Sequence, residues 1–301
     1  MSPQPVQESV QDQCFGDVPN VSPNAIRIVM VGDVVGKPGM RITCDAIPAL
    51  REKWHAGGIV VNAENAADGS GLRCKDYQRL VDCGVDAITL GDHAYRKREI
   101  MQILESEPNI VRPANLAPNA PGRPHCVVTL ADNTQLFVMC LLGRVFMNPC
   151  DCPFRAADRE LSASPTKIKL VDFHAEATSD MQIMGRYLSG RASAVLGTHT
   201  HVATADQQII DNSIGFQCDV GMTGPHDSIL GRKVEAVLQA TLHSIPTPFQ
   251  VATGDVRLNA TWFDAERTTG RCLAIGRICL HESVLNDYLK HRGKSSMSMR
   301  L

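Results

Sequence analysis

Ile26-Arg-Ile-Val-Met-Val-Gly-Asp33 is a short apolar run, rich in β-branched residues, that closes on a carboxylate. The same arrangement returns along the chain. Gly58-Ile-Val-Val-Asn-Ala-Glu64 ends on Glu64, and Asp86-Ala-Ile-Thr-Leu-Gly91 is followed by Asp92 and His93. Ile168-Lys-Leu-Val-Asp-Phe173 leads into His174, and Ala194-Val-Leu-Gly-Thr198 into His199 and His201. Apolar runs of this length, bounded by turn residues, read as buried strands. Helix-patterned segments at Gly39–Trp54, Lys75–Cys83, Lys97–Glu105 and about Thr178–Leu188 lie between them and supply the crossovers of a largely parallel sheet. An open α/β sheet binds its ligands outside the carboxyl ends of its strands. Separate strand ends would therefore deliver these carboxylates and imidazoles to one crevice, and the pattern reads as a two-metal site.

The rest of the chain completes the architecture. Cys126–Leu130 and Gln135–Leu141 read as a hairpin around Ala131-Asp-Asn-Thr134, and Phe249–His281 as antiparallel strands with turns at Thr253-Gly-Asp255 and Thr268-Thr-Gly270. Further helices are expected from about Arg155 and over Arg232–Thr241. Two βα-rich stretches, each ending in antiparallel strands, imply an α/β protein of two sheets packed face to face with helices outside. Residues 1–24, rich in Pro, Gln, Ser and Val without periodicity, read as a flexible leader. Residues 25–281 read as a single domain and 282–301 as a polar, basic tail, frayed and flexible.

Composition excludes little and constrains much. The 301 residues are 44% hydrophobic and 21% charged, ordinary for a globular chain, and a net charge of -2 gives no global attraction to nucleic acid or membrane. No run approaches the ~18 apolar residues of a membrane span. The start, Met1-Ser-Pro-Gln-Pro-Val-Gln-Glu8, lacks the basic and apolar segments of a signal peptide, so a cytoplasmic protein is expected. The eleven cysteines are odd in number and scattered, which reads as thiols rather than a disulfide framework. Cys150-Asp-Cys152 is too tight for a structural zinc pair, which has about two to four intervening residues.

Asp33, Glu64, Asp92, His174, His199 and His201 offer the oxygen and imidazole ligands that water-activating divalent metals take. Two such metals lie about 3.5–4 Å apart and need a bridging ligand. His199-Thr-His201 would turn both rings to one side if that segment stays extended. Singly, each residue has a bland reading: an Asp after a strand is usually a turn or cap residue, and a lone histidine is usually a surface or core residue. His55, His125, His243, His281 and His291 stand in no strand-end context and keep that reading. The repetition at several strand ends favours the metal site. His93, directly after a candidate ligand, is placed to transfer a proton to the leaving oxygen of a phosphate ester, or else to orient a neighbouring carboxylate.

These residues carry a family resemblance. Gly32-Asp33-Val-Val-Gly36-Lys37-Pro-Gly39, Asn62-Ala-Glu64-Asn65-Ala-Ala67, Val111-Arg-Pro-Ala-Asn115, Leu142-Gly-Arg144-Val-Phe-Met147, Asp172-Phe-His174-Ala-Glu176, Gly197-Thr-His199-Thr-His201 and Asp219-Val-Gly-Met-Thr-Gly-Pro225 resemble the motifs of the YmdB-type branch of calcineurin-like metallophosphoesterases. The likeness runs from about Ile26 to Ile278. It implies a four-layer α/β/β/α sandwich, a dinuclear centre of iron or manganese, and hydrolysis of phosphodiesters, with 2′,3′-cyclic nucleotides as the usual substrates. It also implies homo-oligomers. Carried over, Asp33, Glu64 and His201 would hold one metal, and Glu64, Asp92, His174 and His199 the other, with Glu64 as the bridge. Asn65 would sit beside the substrate phosphate, a hydroxide shared by the metals would attack phosphorus, and His93 would be the general acid.

One position departs from the family. Gly91-Asp92-His93 stands where the family usually has Gly-Asn-His, and Ala94-Tyr95-Arg96 replaces its usual Thr-Trp-Asp. Asp33, Glu64, Asp92 and a bridging hydroxide would cancel all four charges of two divalent ions, where asparagine leaves one positive charge. A neutral centre polarises an anionic diester less. The second reading is therefore a metal-stabilised regulatory or RNA-associated protein with weakened chemistry.

Overall fold

The computed structural model describes residues 18–298. The first seventeen residues of the expected leader, and residues 299–301 of the expected tail, lie outside the described residues. In chain order the first elements are β1 (Ala25–Val31), α1 (Gly36–Glu52), β2 (Ala56–Asn62), α2 (Cys74–Asp82), β3 (Ala87–Thr89), α3 (Ile100–Ser106) and β4 (Ile110–Val111). Then come β5 (His125–Thr129), β6 (Gln135–Leu142), α4 (Pro153–Ser162), β7 (Ile168–His174), α5 (Thr178–Tyr187), β8 (Ala194–Thr198), β9 (Gln208–Ile210) and β10 (Ile214–Gln217). The chain continues through β11 (Gly224–Asp227), α6 (Val234–His243), β12 (Gly254–Glu266), β13 (Cys272–His281) and α7 (Glu282–Ser298).

The first sheet runs β1-β2-β3-β4 in parallel. The 13-residue β12 lies antiparallel to β1 and outruns it. Beyond the end of β1 the same edge of β12 takes β11, while its other edge takes β13. In the second sheet, in the order β5-β6-β7-β8-β10-β9, the four central strands are parallel and the two edge strands antiparallel.

Alternation along the strands sorts the layers. Ile26, Ile28 and Met30 of β1 pack with Leu136, Val138, Leu170 and Leu196 of the second sheet, so the two sheets meet face to face. Val29 and Val31 turn the other way, into a core shared with Ile42, Ala46 and Leu50 of α1. On the far side, Phe137, Met139, Val171 and Phe173 pack against Ala157 and Leu161 of α4 and Met181 and Met184 of α5. The fold is thus the expected four-layer α/β/β/α sandwich. Each fully buried Val, Leu or Ile side chain contributes about 1.5–3 kcal/mol, so a one-residue slip, which would turn every side chain to the other face, is strongly disfavoured.

Arg27 breaks the apolar pattern of β1 and is fully buried. Its Nε and Nη2 donate to the two carboxylate oxygens of Asp264 at 2.7 and 2.8 Å, and Nη1 donates to the Trp54 carbonyl. The guanidinium also lies 4.1 Å from the Trp262 ring centre. Arg27 and Asp264 are register partners across β1 and β12, so the pair locks that register.

The residues after His281, read as a tail, continue as α7. Leu285 and Tyr288 are buried against the outer core of the first sheet, with Val284 and Leu289 packed beside them, and the Tyr288 hydroxyl donates to Glu52 at 2.6 Å. Their 284, 285, 288, 289 spacing is a helical stripe that the polar and basic composition of the segment masks. The described cysteines are all free. No helix among the described residues is long and apolar enough to cross a membrane.

Candidate metal centre

Both sheets deliver side chains to one place because their parallel strands end at the same side of the sandwich. Asp33 and Glu64 each lie two residues past β1 and β2, and Asp92 three past β3. From the opposite sheet, His174 is the last residue of β7, and His199 and His201 follow β8. Glu64, Asp92, His174 and His199 present ligand atoms that all lie within 4.8 Å of one another. His174 Nε2 is 3.1 Å from Asp92 Oδ1, 3.3 Å from Glu64 Oε1 and 3.0 Å from His199 Nδ1. Gly91 is required here, since a Cβ at that position would collide with Glu64 Oε2 and His174 Nε2.

Asp33 and His201 border this group without entering it. Asp33 is fully buried, and its Oδ2 accepts the His199 backbone N–H at 3.0 Å. His201 Nε2 is 3.2 Å from the Asn65 amide nitrogen, which also donates to Glu64 Oε1 at 3.0 Å. Asn65 Oδ1 in turn faces His93 Nδ1 at 2.7 Å, and the His93 backbone N–H donates to Glu64 Oε2 at 3.0 Å. His93 and Asn65 therefore stand beside the candidate ligands.

The His-Thr-His segment differs from the sequence reading. It is not extended: φ is 108° at His199 and 64° at His201. The cause is Asp219, whose Oδ2 accepts both the backbone N–H and the hydroxyl of Thr200 at 2.8 Å, while Asp33 holds the His199 N–H. The two rings consequently part, His199 toward His174 and His201 toward Asn65. Positive φ at non-glycine residues costs on the order of 1–3 kcal/mol each and gathers at functional sites.

The donor set fits a cation. Thr198 gives its one hydroxyl proton to Asp172 Oδ1 at 2.6 Å, so it can only accept from His174 Nδ1 at 2.9 Å. That bond keeps a proton on His174 Nδ1 and turns Nε2 toward the centre. His201 Nδ1 likewise donates to the Leu230 carbonyl at 3.1 Å, which leaves Nε2 as the inward lone pair. His199 Nε2 faces the Glu176 carboxylate at 3.2 Å, with Nδ1 turned inward. Metal-binding histidines are held in this way, with the outer N–H fixed by an acceptor.

The carboxylates tell the same story. Asp33 Oδ1 is buried with no hydrogen-bond partner, an orphan that a cation would satisfy. Burial opposes ionisation of Glu64 and Asp92, yet His174, with His93 or His199, outweighs it and holds both well below the usual carboxylate range. Burial by itself would lower His174, but Glu64, Asp92 and Asp33 raise it well above an ordinary histidine. Asp219, buried and repelled by Asp33, is pushed up to about 8. This concentration of negative charge calls for positive charge at the centre.

Several side chains that shape the site carried no role in the sequence reading. Asp172 accepts from Thr89, Thr198 and Asn62, tying the two sheets together beneath the centre, and burial pushes it up to about 6. Arg232 donates to the carbonyls of Asp68 and Gly69 and lines the mouth of the cleft, a cavity of about 280 Å³ shared with His93, Glu176 and His201. Asp219 follows the apolar β10, so the strand-end rule reaches it. Arg232 precedes a helix and Thr198 has no distinctive chemistry, and no sequence signal marks them.

Residues 29–278 match the family model described as YmdB-like protein. A 2′,3′-cyclic-nucleotide 2′-phosphodiesterase of Bacillus subtilis (strain 168) is 41% identical over 259 residues, covering 85% of this chain and 98% of that one. A crystal structure of a hypothetical protein from Thermus thermophilus superposes with a TM-score of 0.80 at 40% identity, covering 85% of this chain and all of the other. The crystal structure of a novel phosphatase from Mycoplasma pneumoniae also gives 0.80, at 29% identity, over 87% and 97% of the two chains. With strand-end ligands, a donor set fitted to metal and this likeness over most of its length, the chain belongs to the YmdB-like protein family.

Proposed function

We propose that the chain is a metal-dependent phosphodiesterase that hydrolyses 2′,3′-cyclic nucleotides, the reaction named for the Bacillus subtilis relative. The observation that carries this reading is the set of three histidines whose outer nitrogens face acceptors, with His174 and His199 turning their inner nitrogens toward Glu64 and Asp92 and His201 bordering that group. Asp33, Glu64 and His201 would hold one metal and Glu64, Asp92, His174 and His199 a second, with iron or manganese as the ions. When bound, they would supply the activation of water and the neutralisation of phosphate charge.

The chain's own residues provide the rest. Asn65 donates toward Glu64 and accepts from His93 Nδ1, which fixes the imidazole plane and leaves His93 Nε2 for the departing ribose oxygen. Burial works to lower His93, but the carboxylates of Glu64 and Asp92 outweigh it and raise the imidazole above its usual value. The His93 side chain is 26% exposed, enough for a substrate to reach it. A cytoplasmic homo-oligomer, with residues 25–281 as the catalytic unit, accompanies this reading.

Purified protein is expected to contain about two transition-metal ions per chain and to hydrolyse 2′,3′-cyclic AMP and bis(p-nitrophenyl) phosphate. Metal-replete protein inactive on every diester would overturn the reading. Asp92 favours a second one. Its carboxylate lies within the ligand cluster and adds a negative charge there, which fits a regulatory or RNA-associated protein with slowed chemistry.

A further inference from the structure

A cavity of about 640 Å³ lies away from the metal centre. It lies at the amino ends of β7, β8 and β10. The seven residues of β7 separate Lys167, just before that strand, from His174 at its far end, roughly 20 Å away. Both sheets build it. The turn between β12 and β13 reaches across to β7, and Gly270 (φ 78°) approaches the Lys167 carbonyl so closely that a Cβ would collide with it. Gly270 donates to the Glu266 carbonyl at 2.8 Å, Cys272 to the Ser213 carbonyl at 2.8 Å, and Gly190 to the Ser213 hydroxyl at 2.9 Å. The walls are therefore tied to one another rather than loosely apposed.

The lining is cationic and its charges are not balanced. Lys167, Lys169, Arg191 and Arg271 face a single carboxylate, Glu266. Glu266 already accepts from Thr269 and stands 4.0 Å from Arg271. Arg191 donates to Asp158 at 2.6 Å. Among the described residues the Lys169 ammonium donates only to the carbonyls of Leu161 and Ser164, and Lys167 makes no ion pair or side-chain hydrogen bond. Lys169 is lowered by burial first and then by the nearby charges of Arg191 and Lys167. A second depression of about 380 Å³ adjoins, shares Lys167 and adds Arg267.

We infer that this cavity is a second ligand site that binds a small anion carrying two or more phosphates on a non-aromatic frame. Charge requires the anion, and phosphate oxygens match the ammonium, guanidinium and hydroxyl donors of the lining. No aromatic side chain lines either depression, so a base would find no ring there to stack on. The volume lies within the range of small-molecule pockets, about 300–1,000 Å³. None of the cavity's residues belongs to the metal centre, so the inference stands apart from the phosphodiesterase reading.

The test is calorimetric titration of the full-length, metal-containing protein with fructose 1,6-bisphosphate, a non-aromatic bisphosphate, beside a short single-stranded oligouridylate. The bisphosphate is expected to bind once per chain, with affinity falling as salt rises. Lys167→Ala and Arg271→Ala, each with unchanged melting temperature, are expected to weaken binding about tenfold or more, since hydrogen bonds to charged groups contribute roughly 1.5–3 kcal/mol. His199→Ala is expected to leave it intact. Absence of saturable binding, insensitivity to both cation substitutions, or loss on His199→Ala would overturn the inference. Binding of the oligouridylate alone, through Lys167 and Arg271, would overturn it in favour of an RNA track.

Discussion

His174 Nδ1 lies 2.9 Å from the Thr198 hydroxyl, and that hydroxyl donates its one proton to Asp172 at 2.6 Å. A threonine with no chemistry of its own thereby sets which nitrogen of the histidine faces the centre. Thr198→Val keeps the shape and removes the acceptor. The expected result is a loss of metal affinity or activity of about 10–100-fold, with part of the loss recovered in Thr198→Ser. Metal content by mass spectrometry, read beside the melting temperature, checks it. Equal metal content and activity in wild type and Thr198→Val would show that Thr198 does not orient the ring.

His93 makes a different prediction, because its ring contacts Asn65 and lies outside the converging ligand atoms. His93→Ala is expected to lower kcat by about 10²–10⁴-fold, the range for a positioned general acid, while leaving metal content unchanged. Loss of metal together with activity would make His93 a ligand or a ligand support instead.

Asp92 decides between fast and slow chemistry. Its Oδ1 stands 3.1 Å from His174 Nε2, so a negative charge is held inside the centre. Asp92→Asn removes that charge at nearly constant shape. Even in water-like surroundings a unit charge at 4 Å is worth about 1 kcal/mol, so turnover on a diester is expected to rise at least several-fold while metal binding weakens. Steady-state rates at saturating metal read the first effect and chelator competition the second. A fall in turnover with full metal occupancy would show that the carboxylate assists the reaction.

The strand-end rule made the site legible because burial and function follow the same period. Asp33, Glu64, Asp92 and His174 close apolar runs, and the fold needs those runs to be strands whatever the terminal residues do. The order of the sheets was less legible. Nothing local in Gly254–Glu266 states that β12 joins β1 as well as β13, since that pairing is fixed by Arg27 and Asp264 some 237 residues apart. The bend at His199-Thr-His201 was hidden for the same reason, because Asp219 imposes it from the loop after β10. Helix α7 was missed where a weak apolar stripe lies under a polar composition.

Metal removal tests the centre through stability. Asp33 Oδ1 without a partner, and the carboxylates around His174, imply that the folded chain is held together more tightly with cations than without. A ligand at 100 times its Kd adds about 2.7 kcal/mol, so chelator is expected to lower the melting temperature of wild type by several degrees. Glu64→Ala, which removes a carboxylate shared by the two proposed ligand sets, is expected to melt at the same temperature with or without chelator. A chelator shift of equal size in both proteins would place the stabilising metal elsewhere.

The Arg27–Asp264 pair gives the last prediction, on folding alone. Both partners are nearly inaccessible, with side-chain exposures of 0% and 6%. The attraction between two buried charges roughly offsets their desolvation, so the pair itself adds little net stability, but removing one partner strands the other. Asp264→Ala is therefore expected to cost about 3–5 kcal/mol. At about 2–4 °C per kcal/mol for a chain of this size class, the melting temperature should fall by roughly 6–20 °C. Replacing both residues, with Arg27→Met and Asp264→Leu, is expected to cost clearly less than Asp264→Ala. That ordering follows only if the penalty comes from an unpaired buried guanidinium. A double variant as unstable as Asp264→Ala would mean that the Arg27 contacts with Trp54 and Trp262, rather than the charge pair, hold β1 against β12.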